Sequence, residues 1–187
     1  MKTSEKYVPQ IVYSLSRNEI FVFGSNRLGN HIGGAANVAF REFGASWGVG
    51  EGLTSNTYAL PTLDEQYNQV TMDELYESFV KFLKCVASNQ DKLFLLTPVG
   101  CGIAGFDTNQ VADVFWRAVK NNFPGPAFEL RRIVLPATFV RSKIERELYG
   151  IWYEYRQVVF HKGNDDSEQH YQDIKRDVEN TWSCEHE

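Results

Sequence analysis

The chain contains no run approaching the roughly 18–20 apolar residues that a membrane-spanning helix needs, so no membrane partner is expected. Cysteine is scarce: Cys85, Cys101 and Cys184 form an odd, scattered set without metal-ligand spacing. They read as reduced thiols in a cytoplasmic protein, and neither a metal nor a cofactor is expected. The opening Met-Lys-Thr-Ser-Glu-Lys lacks the apolar core of an export signal, which agrees with a cytoplasmic location. A basic stripe is also missing. Residues 163–187 hold eight acids against Lys175 and Arg176, a net of −6, which leaves residues 1–162 at +1 of the total of −5. Neither part suits a phosphate backbone, so long nucleic acid is not an expected partner, and any phosphate ligand must be small.

What the sequence does contain is one ordinary domain. Its 187 residues, 43% hydrophobic and 23% charged, suffice for a sizeable core. Short apolar runs read as strands at Gln10–Leu15, Glu19–Gly24, Thr57–Leu60 (stopped by Pro61), Leu93–Thr97 and Arg132–Leu135. Helices are expected between them. One starts at Gly34 and places Ala36, Ala39, Phe40 and Phe43 on one face. A second follows the capping box Thr71-Met-Asp-Glu74, with Leu75, Phe79, Phe82, Leu83 and Val86 inward. A third, capped by Asp107 or Thr108, turns Val111, Val114, Phe115, Ala118 and Val119 inward. After the break at Pro124-Gly125-Pro126, Ser142 and Glu145 open a fourth, carrying Ile144, Leu148, Ile151, Trp152 and Tyr155. The expected architecture is therefore one α/β domain over residues 1–162, a mostly parallel sheet covered on both faces. The acidic segment 163–187 is expected to be a surface helix or tail.

Two glycine-rich loops interrupt this alternation, each between a strand and a helix. The first runs from Phe-Val-Phe-Gly24-Ser25-Asn26 through Asn30-His31-Ile32-Gly33-Gly34-Ala35-Ala36. The second is Val99-Gly100-Cys101-Gly102-Ile103-Ala104-Gly105-Phe106. Glycine lets a ligand approach main-chain N–H groups, and a helix N-terminus behind such a turn adds unpaired donors. Ligands of open α/β sheets bind beyond the carboxyl ends of the strands. Asn26, Pro61-Thr62, Gly100–Phe106 and Pro136–Phe139 should therefore converge on one rim. His31 is a candidate acid or base. Cys101 is a candidate nucleophile, its thiol pKa lowered by the helix amides. Asp64 and Glu65 are candidate general bases, although loop carboxylates are commonly just solvated. Trp47 either flanks the pocket or packs on the core.

The loops, together with Tyr58-Ala-Leu-Pro61-Thr62 between them, resemble the ADP-ribose-binding loops of macro domains over roughly residues 19–140. They are most similar to uncharacterised bacterial and phage macro-like proteins. The resemblance implies a three-layer α/β/α macro-like fold with a mostly parallel, mixed sheet. It implies that Gly24 and Ser25 belong to the ligand site, that amides of Gly33–Ala36 and Gly100–Gly105 hold a diphosphate and that Asn26 bonds the distal ribose. It also implies that Phe139 stacks on adenine and that Phe106 lines the distal end. Three departures bear on function. Ala35 and Ala36 stand where macro-domain hydrolases often carry an acid, Ala104 replaces the usual tyrosine, and the adenine-reading aspartate has no counterpart. The expected function is binding of ADP-ribose or a related nucleotide diphosphate, free or attached to a macromolecule. The alternatives are an ADP-ribosyl hydrolase, with Asn26 as a catalytic candidate that orients a water while the substrate's diphosphate supplies the base, a non-macro Rossmann-like nucleotide-binding protein, and an interaction protein with a vestigial pocket.

Overall fold

The computed structural model describes residues 6–122, 128–141 and 143–161, together with Arg176. The expectations for Pro124–Pro126, Ser142 and the acidic segment lie outside the described residues. Strands β1 (Glu19–Asn26), β2 (Gly52–Thr54), β3 (Thr57–Leu63), β4 (Leu93–Leu96) and β5 (Ile133–Val134) alternate with helices α1 (Gly34–Glu42), α2 (Met72–Ser88), α3 (Thr108–Asn122) and α4 (Lys143–His161). The strands form one sheet in the order β2-β3-β1-β4-β5. Only β2 runs antiparallel to its neighbour. The architecture is a mixed, mostly parallel α/β sheet, as the alternation of strand and helix patterns requires.

Side chains of a strand alternate between faces, and here that alternation separates two cores. Ile20, Val22, Leu60, Phe94 and Leu96 face α2 and α3, meeting Phe79, Phe82, Phe115 and Val119, with Tyr149 and Trp152 of α4 in the same cluster. Phe21, Phe23, Ala59 and Leu95 face α1, against Ala36 and Ala39, with Val12 of the N-terminal segment joining them. All five expected inward residues of α2 and all five of α3 are buried. In α1 the expected face holds at Ala36, Ala39 and Phe43, but Phe40 is 41% exposed, because so short a helix covers only a narrow strip of sheet.

Three strand expectations change. Pro61 does not stop β3; it pairs opposite Ser25 and the strand continues to Leu63. The Phe21 N–H donates to the Asn56 carbonyl, so Tyr58 and Leu60 turn their N–H groups toward β1, while Thr57, Ala59 and Pro61 turn theirs away. β2 ends at Gly52, opposite Ala59, so the donor that proline lacks would have had no strand to meet. Gln10–Leu15 forms no strand. Val8 N–H bonds the Leu135 carbonyl at 3.0 Å, and among the described residues no further main-chain bond joins the segment to the sheet. The segment instead buries Val12 and exposes Ile11 and Tyr13. Arg132–Leu135 shortens to the two residues of β5, preceded by a 3-10 turn at Phe128–Arg132. Tyr149 of α4 braces this edge: its hydroxyl accepts from Leu135 N–H and donates to the Lys6 carbonyl, both at 2.8 Å.

Helix α2 begins at the expected capping box: Glu74 N–H bonds Thr71 Oγ1, and Thr71 N–H bonds Glu74 Oε2. Thr71 N–H, the Arg27 guanidinium and the Thr71 hydroxyl together hold the Glu74 carboxyl down at about 2. A depressed carboxyl pKa stabilises the fold above the ordinary carboxylate range and loses that stabilisation as pH falls through the folded value. Glu74→Gln should therefore lower the melting temperature at pH 7, and the gap to wild type should close between pH 4.5 and about 2. A gap that is constant across that range in a thermal-melt series rules out this linkage.

Candidate functional site

The two glycine loops meet. Loop 1 (residues 26–36) leaves β1 and loop 2 (residues 97–107) leaves β4, and these strands are neighbours in the sheet. Between the loops lies a cleft of about 860 Å³ lined by Gly24, Ser25, Asn26, Gly33, Gly34, Ala35 and Ala36 from the first side and Gly100, Cys101, Gly102, Ile103 and Ala104 from the second. Of the expected rim, Thr62 and Thr138 also line the cleft, joined by Thr97 after β4, whereas Pro61, Pro136 and Ala137 do not. Ile103 crosses toward loop 1: a methyl placed on Gly33 would lie 3.0 Å from Ile103 Cδ1.

The donors of this cleft are main-chain. Helix α1 has Gly33 at its N-cap with no side-chain cap, so the N–H groups of Gly34, Ala35 and Ala36 have the unpaired status of any first helical turn. By contrast, α2 has its capping box, and Asp107 Oδ1 caps α3 by accepting from Asn109 and Gln110 N–H. In loop 2 the N–H of Cys101 bonds the Pro98 carbonyl, Gly105 bonds Gly102 and Phe106 bonds Gly100. Among the described residues, the N–H groups of Gly100, Gly102, Ile103 and Ala104 meet no protein acceptor. None of the residues lining the cleft is charged. A second cleft, of about 850 Å³ beside α2, is the reverse: Arg27, Lys81 and Arg117 line it, each ion-paired with an acid that also lines it.

Several expected side chains have other roles. Asn26 lines the cleft but is only 5% exposed. Its Nδ2 donates to the Asn30 carbonyl at 2.8 Å and its Oδ1 accepts from Asn30 N–H at 3.1 Å, which leaves one N–H and one lone pair of the amide. His31 does not line the cleft. It is buried behind α1, with Nε2 3.1 Å from the Ser46 carbonyl and its ring among Phe23, Phe40 and Trp47. Burial lowers its pKa, which disfavours the imidazolium. Trp47 is exposed and packs on Phe40 and His31 rather than flanking the cleft.

Cys101 is half-buried, with Sγ 3.4 Å from the Val99 carbonyl. Burial raises its pKa, the opposite of the activation expected from the helix amides. Asp64 accepts from the N–H groups of Gln66 and Asn68, and Glu65 pairs with Arg27 at 3.8 Å; neither lines the cleft. Phe139 is fully buried: the 3-10 turn Ala137–Phe139 points its ring into the core against Phe115, and its carbonyl accepts from Trp116 Nε1. It presents no face to an adenine. Phe106 is likewise 6% exposed in the core. Gly105 does not line the cleft either.

Several residues at the cleft were not singled out for binding in the sequence. Pro9–Val12 form the wall at the β5 end. Asn30 and Ile32 of loop 1 line the cleft, Ile32 being 69% exposed. Tyr67, in the loop after β3, lines the opposite end and is 45% exposed. Gln69 holds loop 2 from the same side through Nε2 to the Ala104 carbonyl at 2.7 Å. The signals were faint but present: an aromatic residue in a polar loop, and an isoleucine directly before two glycines. No protein-family model, no curated protein and no solved structure matches the chain.

Proposed function

We propose that the cleft binds a nucleotide diphosphate such as ADP-ribose, free or attached to a macromolecule, in the manner of the macro domains that its loops resemble. One observation carries this: two loops with unpaired main-chain donors line a single cleft from opposite sides. Small residues at Gly33–Ala36 and Gly100–Gly102 leave room for phosphate oxygens to reach those amides. The carboxylate and histidine candidates for hydrolysis lie off the cleft, the thiol is not activated, and the Asn26 amide that would orient a water is engaged on both atoms by Asn30, so binding without turnover is the favoured function. An ADP-ribosylated substrate should be retained with no ADP-ribose released.

Calorimetry against ADP-ribose, ADP and AMP tests the proposal directly. ADP-ribose and ADP should bind at least about tenfold more tightly than AMP, because two phosphates engage both loops. Salt gives a second readout. With no cationic side chain in the cleft and a net charge of −5, affinity should not fall as salt rises from about 50 to 500 mM. Equal affinity for ADP and AMP, or a steep loss of affinity with salt, argues against a diphosphate cradle built from main-chain amides.

A further inference from the structure

Loop 2 is shaped by a bond from outside it. The peptide between Ala104 and Gly105 is bonded at both ends: its N–H donates to the Gly102 carbonyl at 3.0 Å, and its C=O accepts from Gln69 Nε2 at 2.7 Å. The first bond closes a turn over Gly102–Gly105, and the unpaired N–H groups of Ile103 and Ala104 lie within that turn. Gly105 has φ +73°, and a peptide unit beside glycine reorients at little steric cost. Reorientation here breaks both bonds at once, so Gln69 opposes a motion that the glycine would otherwise permit.

Gln69 projects from a backbone that is itself fixed. Residues 63–69 form a hairpin rooted on the end of β3, where Leu63 stands opposite Asn26 of β1 and pairs with Gln69 across the hairpin. Val70, next in the chain, is buried, its N–H bonds the Thr62 carbonyl at 3.2 Å, and Thr71 then caps α2. The turn of the hairpin holds Tyr67 at φ +64°, an outlier for a bulky side chain. Asp64 sustains it: Oδ1 accepts the N–H groups of Gln66 and Asn68, both at 2.8 Å, and the Asp64 carbonyl accepts Tyr67 N–H at 3.3 Å.

The same hairpin reaches loop 1. The Tyr67 hydroxyl accepts from Asn30 Nδ2 at 2.7 Å, and the Asn26 amide bonds both the N–H and the carbonyl of Asn30. One hairpin is therefore tied to loop 1 through Tyr67 and to loop 2 through Gln69, two residues further on. β1 separates β3 from β4 in the sheet, so the Gln69 bond spans the end of β1. Gln69 does not itself line the cleft, so it acts on the site through the Ala104 carbonyl.

We propose that hairpin 63–69 is a brace that sets the spacing of the two glycine loops, with Gln69 the positioning residue for the loop 2 amides. The consequence is selectivity for length. A ligand with two phosphates needs both loops at one separation, whereas a single phosphate can use whichever loop is intact. This rests on the diphosphate site proposed above.

The test is calorimetry of ADP and AMP on the full chain, with amide hydrogen exchange at Gly105 of the free protein. Gln69→Met keeps the length of the side chain and removes the donor. The preference for ADP over AMP should shrink about fivefold, the scale of one hydrogen bond, with AMP within about twofold of wild type. Exchange at Gly105 should quicken by about the same factor. Asp64→Ala and Asp64→Asn remove the same charge, off the cleft, but only asparagine keeps an oxygen for the turn. The alanine variant should lose selectivity and the asparagine variant should keep it. The brace is overturned if Gln69→Met leaves the preference for ADP unchanged, whether both ligands weaken together or neither does. It is also overturned if exchange at Gly105 does not quicken, or if the two Asp64 variants behave alike. The diphosphate site fails on a different result, wild type binding ADP no better than AMP, and the role of the brace in selectivity then falls with it.

Discussion

Gly102→Glu is expected to abolish nucleotide binding while leaving the fold intact. A Cβ built at Gly102 meets no atom within 4 Å, and the backbone there lies outside the left-handed region. A side chain is therefore accommodated without strain, and stability should stay within about 0.5 kcal/mol of wild type. The residue nevertheless lines the cleft beside unpaired amides. A carboxylate there meets no lining cation and stands against the phosphates. Two like charges about 4 Å apart repel by about 4 kcal/mol at an effective dielectric of 20, so affinity should drop by a hundredfold or more. Denaturant melts and calorimetry of ADP binding on the same sample separate the two effects. Affinity within about threefold of wild type would mean that loop 2 does not hold phosphate.

Gly100→Ala, two residues earlier, should have the opposite profile and act on the fold first. Gly100 has φ +76°, where any side chain is strained, and a Cβ there would lie 2.8 Å from Phe106 Cδ2 and 3.3 Å from Thr62 Cγ2. Phe106 is 6% exposed within the core and has no free space to swing into. The left-handed backbone costs about 1–2 kcal/mol for an L-residue, and overpacking typically adds about 1–3 kcal/mol. The melting temperature should fall by about 5–15 °C for a chain of this size. A drop of only one or two degrees would show that the turn relaxes freely and that glycine is not required there. Together the two variants separate the glycine that shapes loop 2 from the glycine that leaves it open.

The cleft itself was legible because glycine loops at strand-to-helix junctions are local patterns, and a parallel sheet brings the ends of neighbouring strands together whatever their side chains. Twelve of the residues named for binding line the cleft for that reason. Phe139 was misjudged because its place after the final strand says where its backbone goes, not where its ring points. A 3-10 turn directs it inward to Phe115. Pro61 was misjudged because its effect depends on which neighbour its missing N–H would have faced, and β2 ends two residues short of it.

His31, Asn26 and Tyr67 mark the boundary between the two kinds of information. By itself the sequence determined the alternation of strand and helix, the inward faces of α2 and α3, the capping box of α2 and the two glycine turns. All of these follow from periods of two or 3.6 residues, or from the conformations that glycine permits. Only the tertiary structure decided which polar groups remain for a ligand. It put His31 among aromatic rings behind α1, tied Asn26 to Asn30, and brought Tyr67 across from the β3 loop. Exposure and hydrogen-bond pairing are set by neighbours that packing supplies, often from distant parts of the chain, such as Asn30 and Tyr67, 37 residues apart. No local pattern in the sequence encodes them.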